Sequence, residues 1–337
     1  MKKLLFYAGV MLTVVILLPL LIVKGCGYKG EEPSEVPDVI TGEKILVYDA
    51  STKKVKNMSL EEYIMGVVAA EMPADFDLEA LKAQAVAART FAYGRKVHAF
   101  ASSPGVHDNA DICTNPAHCQ AWKSKEAKMK EWGVFNAARN WNKIAQAVNE
   151  TKGLIVTYNG KVINALFHSS SGGKTENSED VWEGVEVPYL RSVESNGEDA
   201  AKDFKAVVTI KISEFIDKLK TKYPDTRLSS KNVLSSIKVL EYSEGGRVKT
   251  LKVGDNTMKG TDLRTLLGLR STNFKIEKSG EDSVKITTLG YGHGVGMSQW
   301  GANYLAKRGG TFEEILRYYY TGVQITSIND YIQPILN

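Results

Sequence analysis

The sequence predicts an α+β protein in which helices pack against a mixed sheet, with a smaller αβ subdomain inserted into the main one and an apolar helix at the N-terminus. Three observations carry this. Two helical segments meet around Pro73, a tight hairpin turns at Asn159-Gly160, and short strand and helix patterns alternate between about residues 207 and 286 before helical material returns. With 337 residues, 43% hydrophobic and 24% charged, the chain can build a real core. Its net charge of +4 is scattered, without a basic tract or an arginine-rich helix, which argues against a nucleic-acid partner.

Residues 1–3 read as a cytoplasmic tail and Leu4 to Val23 (4–23) as a transmembrane anchor. The run is uncharged, reaches across a bilayer core at about 1.5 Å per residue, and is followed by no small-x-small cleavage pattern. Lys2, Lys3 and the amino terminus outweigh Lys24 and Lys29, so the rest of this single-pass chain is expected outside the cytoplasm. Lys24, two residues before Cys26, spoils a lipoprotein signal. Residues 24–42, with Glu31, Glu32, Pro33, Glu35 and Pro37, form a solvated linker, and 43–337 the folded domain.

The domain opens with a strand at Ile45 to Tyr48, then a helix that Ser59 and Glu62 start as a capping box. The residue before a proline is pushed out of the α region, so this helix ends near Glu71, ahead of Met72-Pro73. Asp77 caps a second helix from Leu78 to Tyr93, in which Leu78, Leu81, Ala85, Ala88 and Ala92 share one face while Gln84 and Arg89 lie off it, toward whatever Glu71 faces. Lys96 to Trp132 is irregular, and Asn140 to Lys152 is helical up to Gly153. Leu154 to Tyr158 and Lys161 to Phe167 make the hairpin, since Asn-Gly supplies the positive φ angles of a tight turn. The insert, about 207–286, holds a helix near Glu214 to Lys222, strands at Ile237 to Tyr242 and Arg247 to Val253, and a helix near Asp262 to Leu267. After a glycine-rich turn come a helix from Ser298 to Lys307 and a last one, capped by Thr311 and Glu314, through Tyr320, with Tyr318, Tyr319 and Tyr320 as packing residues.

Glu71 is the residue with the sharpest chemical reading. A carboxylate at a helix C-terminus faces the negative end of the dipole, and burial among Val67, Val68, Ala69 and Ala70 disfavours its charge further, so it is expected to hold its proton and act as a general acid. Two more stretches stand where loops carry function: His168-Ser-Ser-Ser-Gly-Gly173 after the hairpin, and Gly290-Tyr-Gly-His-Gly-Val-Gly-Met-Ser-Gln-Trp-Gly301 before a helix. With Ala69-Ala-Glu-Met-Pro73 and Glu79-Ala-Leu-Lys-Ala-Gln-Ala-Val-Ala-Ala-Arg-Thr90, these make the chain similar, from Lys44 to Val323, to the stage II sporulation protein D (SpoIID) family of membrane-anchored lytic transglycosylases.

That resemblance implies cleavage of the bond between N-acetylmuramic acid and N-acetylglucosamine in peptide-stripped peptidoglycan, leaving 1,6-anhydro ends, during septal wall remodelling and engulfment in sporulation. Glu71 becomes the catalytic residue, and one carboxylate suffices because the sugar's own C6 hydroxyl attacks. Glu176, Glu179 or Asp180 across the cleft would instead suit a two-carboxylate hydrolase. Gln84, Arg89, His168, Ser169, Ser170, Gly172, Gly173, Lys174, His293, Gln299 and Trp300 are candidates for binding the strand. Arg89 either grips lactyl carboxylates or forms an internal ion pair that orients Glu71 or a loop. Tyr291 and Trp300 are of the type that stacks on sugars, and equally of the type that fills a core. The resemblance also implies an amidase partner, stage II sporulation protein P, a multispanning partner, stage II sporulation protein M, and a place in the engulfing septal membrane of the mother cell.

His107, Cys113, His118 and Cys119 form a second constellation. They match tetrahedral structural zinc, while Cys113 and Cys119 alone match a disulfide; the two histidines favour zinc. Two rival functions stay open: a non-catalytic enhancer of a cell-wall amidase, and a zinc-dependent cell-wall hydrolase.

Overall fold

The computed structural model describes Lys3 and residues 42–331, apart from 101–106, 108, 225, 230 and 231. The expected anchor, 4–23, lies outside these residues, as does the linker before Gly42; among the described residues no helix is long and apolar enough to cross a membrane.

The chain runs β1 (Lys44–Asp49), β2 (Lys54–Ser59), α1 (Leu60–Glu71), α2 (Leu78–Lys96), β3 (Ile112–Cys113), α3 (Lys125–Trp132), α4 (Ala137–Glu150), β4 (Leu154–Tyr158), β5 (Lys161–Val162), β6 (Phe167–His168) and the short α5 (Ser178–Val181). It continues with β7 (Lys205–Lys211), α6 (Ile212–Lys222), β8 (Ile237–Tyr242), β9 (Val248–Val253), β10 (Asn256–Lys259), α7 (Gly260–Leu267), β11 (Phe274–Ser279) and β12 (Ser283–Leu289). β13 (Met297–Ser298), α8 (Gln299–Lys307), α9 (Phe312–Tyr319) and β14 (Gln324–Ser327) complete it.

The result is a mixed α+β fold, but with several small sheets in place of the one mixed sheet expected. Their strand orders are β2-β1-β3, β14-β4-β5, β13-β6, β10-β9-β8 and β11-β12-β7. The reason lies in α2, which packs against α1, α4, α8, α9 and β4. Ala80, Ala83, Ala85, Ala87, Ala88 and Ala92 are all buried, so neighbours approach this helix from every side and it takes the centre that a continuous sheet would occupy. The single apolar stripe read from the sequence was therefore too narrow. Thr90 ties helix to strand, donating to the Val86 carbonyl at 2.7 Å and accepting from the Val156 N–H at 2.9 Å.

Local signals set the element ends. Ser59 Oγ accepts from the Glu62 N–H at 3.1 Å, although the reciprocal half of the expected capping box is absent among the described residues; Thr311 and Glu314 make both halves. Met72 is extended (φ −118°, ψ 144°), so α1 ends at Glu71 as Pro73 requires. Asn159 and Gly160 have φ of 49° and 72°, the geometry of a primed turn. The second hairpin strand, however, pairs only through Val162; the chain then leaves, and Phe167–His168 pairs in parallel with β13.

Between Ile212 and Ile286 the structure has an apolar cluster of its own, built from α6, α7 and strands β8 to β12, with Phe215, Leu219, Leu251, Val253, Leu263, Val284 and Ile286 buried in it.

Candidate active site

The end of α1, the loop before α3, β6 and the glycine turn before β13 meet around a cleft of about 490 Å³. Glu71, Cys119, Gln120, Phe167, His168, Ser169, Tyr291, His293 and Gln299 line it. Glu71 is the sole carboxylate among its described lining residues. Its Oε1 accepts from the Ala121 N–H at 2.8 Å and its Oε2 from Gln299 Nε2 at 3.3 Å. Burial raises its pKa and outweighs these two donors, which lower it. Gln299 Nε2 also lies 3.4 Å from Gln84 Oε1, so Gln84, fully buried, stands behind Gln299 and reaches Glu71 only through it.

His168 and His293 pack with their ring centres 5.5 Å apart and their planes tilted by 59°. Burial pushes His168 down to about 3, and burial with the nearby His168 and Arg247 holds His293 well below the usual imidazole range, so both rings are neutral at pH 7. The partners assign their tautomers. His168 Nδ1 faces the Val295 carbonyl at 3.1 Å and must carry the proton, which leaves its Nε2 as an acceptor; His293 Nδ1 accepts from the Val295 N–H at 3.1 Å, so its proton sits on Nε2.

Several expected binding residues sit elsewhere. Arg89 is fully buried and forks onto Glu61, with Nε 3.0 Å from Oε1 and Nη2 2.5 Å from Oε2, while Nη1 and Nη2 donate to the carbonyls of Leu154 and Val148 at 3.2 Å. It makes an internal ion pair with α1, away from the cleft, because its length lets it span α1, α4 and β4 from the central helix. Ser170 is buried and pairs its backbone with Tyr291. Gly172 and Gly173 turn their N–H groups onto Glu198, Lys174 pairs with Glu244 at 3.2 Å, and Trp300 packs edge-on against Phe76 at 4.8 Å. Glu176, Glu179 and Asp180 do not line the cleft: they engage Ser243, Arg191 and Lys249 respectively, and burial lifts Glu176 to about 7.

Two organising residues were not visible beforehand. Glu198 is 1% exposed and accepts from the N–H groups of Ser171 at 3.0 Å and Gly172 at 2.8 Å, and from the hydroxyls of Ser171, Ser195 and Ser298. It thereby fixes the serine-glycine run against the start of α8. Arg247, also 1% exposed, donates to the carbonyls of Gly292 at 3.0 Å and Ser171 at 2.6 Å, joining that run to the glycine turn. A side chain at Gly294 would begin 2.6 Å from the Arg247 guanidinium carbon, and one at Gly296 would begin 2.1 Å from the Leu166 carbonyl oxygen.

His107, Cys113, His118 and Cys119 converge beside the cleft, their ligand atoms all within 4.8 Å of one another. His118 Nδ1 lies 3.5 Å from Cys113 Sγ and 3.2 Å from Cys119 Sγ, and His107 Nε2 lies 3.6 Å from Cys119 Sγ. A tetrahedral zinc site has ligand-to-ligand edges of about 3.3–3.8 Å, so these donors fit, adjacent His118 and Cys119 included. His107 Nδ1 faces the Ala110 carbonyl at 3.0 Å, which fixes the tautomer with Nε2 free to ligate. Both cysteines are free thiols, not a disulfide.

A protein family described as SpoIID, Stage II sporulation protein, matches residues 48–158. Stage II sporulation protein D of Bacillus subtilis (strain 168) is 40% identical over 289 residues, covering 86% of this chain and 80% of its own length. The protein of the same name from Bacillus amyloliquefaciens is 40% identical over 304 residues, 90% of this chain and 84% of its own. A protein named amidase enhancer, from Bacillus subtilis (strain 168), is 30% identical over 312 residues, 78% of this chain and 40% of its own. With two relatives at this identity over most of both lengths, the chain belongs to the stage II sporulation protein D family.

Proposed function

We propose that the protein is a peptidoglycan lytic transglycosylase of sporulation, cleaving the bond between N-acetylmuramic acid and N-acetylglucosamine in peptide-stripped strands. The observation that carries the reading is a single buried carboxylate at the cleft, its pKa raised by burial: a two-carboxylate hydrolase needs a second acid to activate water or attack the sugar, and the described lining residues include none besides Glu71. Glu71 gives its proton to the glycosidic oxygen as the C1–O bond breaks. The C6 hydroxyl of the same muramic sugar then forms the new bond to C1 and returns its proton to Glu71, so no water is consumed. Ala121 N–H and Gln299 Nε2 hold the carboxylate in place between the two transfers. Ser169 and the exposed Tyr291 are the groups available to meet sugar hydroxyls and rings, with the buried His168 and the half-buried His293 forming the cleft wall behind them.

The four-residue His/Cys centre holds structural zinc in this reading. The metal would supply no reacting group; it would fix the loop whose Ala121 N–H reaches Glu71. The anchor at 4–23 keeps the domain at the outer face of a membrane, which in sporulation is the engulfing septum of the mother cell. The stem-removing amidase, stage II sporulation protein P, and the multispanning stage II sporulation protein M are the partners this role requires.

Incubating the full chain with stripped glycan in heavy-oxygen water tests the reading. Products lighter by one water, with no heavy oxygen at the muramic end, are expected; incorporation of label would make it a hydrolase. The 30% identical amidase enhancer motivates a second reading, as a non-catalytic activator. No cleavage, together with stimulation of an added amidase, is the outcome that favours it.

A further inference from the structure

Two open grooves meet at Trp122, the first of them beside the first half of α1. One, of about 410 Å³, is lined by Ser59, Glu62, Gly66, Trp122, Lys125 and Trp141 among others. The other, of about 550 Å³, includes Asp49, Ser51, Thr114, Asn115 and Pro116. Lys56, Trp122, Lys123 and Ser124 line both, and Pro116 lines the second groove and the catalytic cleft alike. The three concavities thus follow one another, each sharing lining residues with the next, from Glu71 past the His/Cys loop to the start of α1. Glu62 and Glu71, at the two ends of this track, are about 13 Å apart along the helix at 1.5 Å per residue.

Trp122 is the wall common to both grooves, and its seat is built for it. A Cβ on Gly66 would lie 2.2 Å from Trp122 Nε1 and 2.8 Å from the Lys123 carbonyl oxygen, so only glycine lets the indole lie against α1. Lys56 Nζ stands 5.3 Å from the Trp122 ring centre and Lys125 Nζ 5.5 Å from that of Trp141. Lys56, Lys123 and Lys125 are balanced by Asp49, Glu62 and Glu126 in the combined lining. A charge-balanced lining with the half-buried Trp122 indole among alternating polar groups suits a polymer with apolar ring faces and many hydroxyls better than a polyanion or an apolar chain.

We infer that this track is an extension of the substrate site that grips the glycan strand several sugars away from the cleaved bond, with Trp122 as its stacking platform. The inference rests on the reading of the cleft as a glycan-cleaving site. Its test is calorimetric titration of the full chain in detergent, carrying Glu71→Gln so that strands stay intact, with stripped glycan graded from one disaccharide to long strands. Adding Trp122→Ala should weaken long strands about three- to tenfold, the size of one lost ring contact, and leave the disaccharide unchanged; Trp122→Phe should restore most of the loss. Ser51→Trp, which obstructs the second groove while leaving residue 122 unchanged, should act on long strands in the same way and covers the case in which Trp122→Ala does not fold. Long-strand affinity that survives both changes overturns the track, as does an equal loss at every length, which would mean that Trp122 only props the Glu71 loop. Binding to no strand at all overturns the glycan reading of the cleft itself, and the disaccharide titration tells these failures apart.

Discussion

Changing Arg89 to leucine removes one partner from an ion pair that no water reaches: Arg89 is 0% exposed and Glu61 2%. In the native fold Glu61 receives the guanidinium fork and the Gly153 N–H at 3.2 Å, while the same guanidinium satisfies the carbonyls of Val148 and Leu154. Without Arg89 the Glu61 carboxylate keeps one described donor, and the Val148 and Leu154 carbonyls each lose a guanidinium N–H, Val148 keeping the Thr151 hydroxyl at 3.3 Å. Stranding one member of a buried pair costs about 3–5 kcal/mol, and at about 2–4 °C per kcal/mol the melting temperature should fall by roughly 6–20 °C. The double change Arg89→Leu, Glu61→Leu should recover much of this, since an apolar replacement of both charges needs no partner. Thermal melting of the three proteins reads both effects, and glycan titration of the double variant reads a third: its affinity should match that of the native protein. A single variant that melts within a degree or two of the native protein, or a double variant that folds but no longer binds glycan, would refute the internal role and return Arg89 to the substrate.

Three further outcomes follow from the site. Cys113→Ser should lower bound zinc and melting temperature together, and chelation should destabilise the protein before it abolishes cleavage; immediate loss of turnover at full stability would give the metal a chemical role. Glu71 binds its proton more tightly folded than unfolded, so its ionisation costs stability as pH rises from the ordinary glutamate range through its own raised value. Glu71→Gln should therefore melt higher than the native protein at neutral pH and equally at pH below the ordinary glutamate range; a difference that grows toward acid pH contradicts the burial argument. Glu198→Ala should cost about 3 kcal/mol or more, because hydrogen bonds to a buried charge are worth about 1.5–3 kcal/mol each and several are lost, with weaker glycan binding as the serine-glycine run loosens; an unchanged denaturation midpoint would count against it.

What the sequence made legible was local. Ser59, Asp77 and Thr311 each place a side-chain oxygen within three residues of the N–H it accepts from, and Pro73 and Asn159-Gly160 act on their own backbone, so α1, α2, α9 and the β4–β5 turn can be read directly. The four His/Cys candidates for metal binding fall within thirteen residues, again a local pattern. Pairings across the chain left no such mark. β3, β6 and β13 are two residues long and exist only because a distant strand lies beside them. α3 buries only Lys128 and so has no apolar stripe to announce it. Arg89 meets Glu61 across 28 residues, and its mid-helix place among alanines was the one hint that it needed a buried partner. Glu198, in Gly197-Glu-Asp-Ala200, resembles any surface turn until Ser171 and Ser298 are brought to it.

Glu71→Gln keeps the shape of the side chain and an acceptor for the Ala121 N–H but has no acid proton to give, and mass spectrometry of stripped glycan incubated with the folded variant isolates that difference. The account predicts anhydro ends from the native protein and none above background from the variant, with binding of intact strands retained. Anhydro ends formed at a comparable rate by the variant would contradict it.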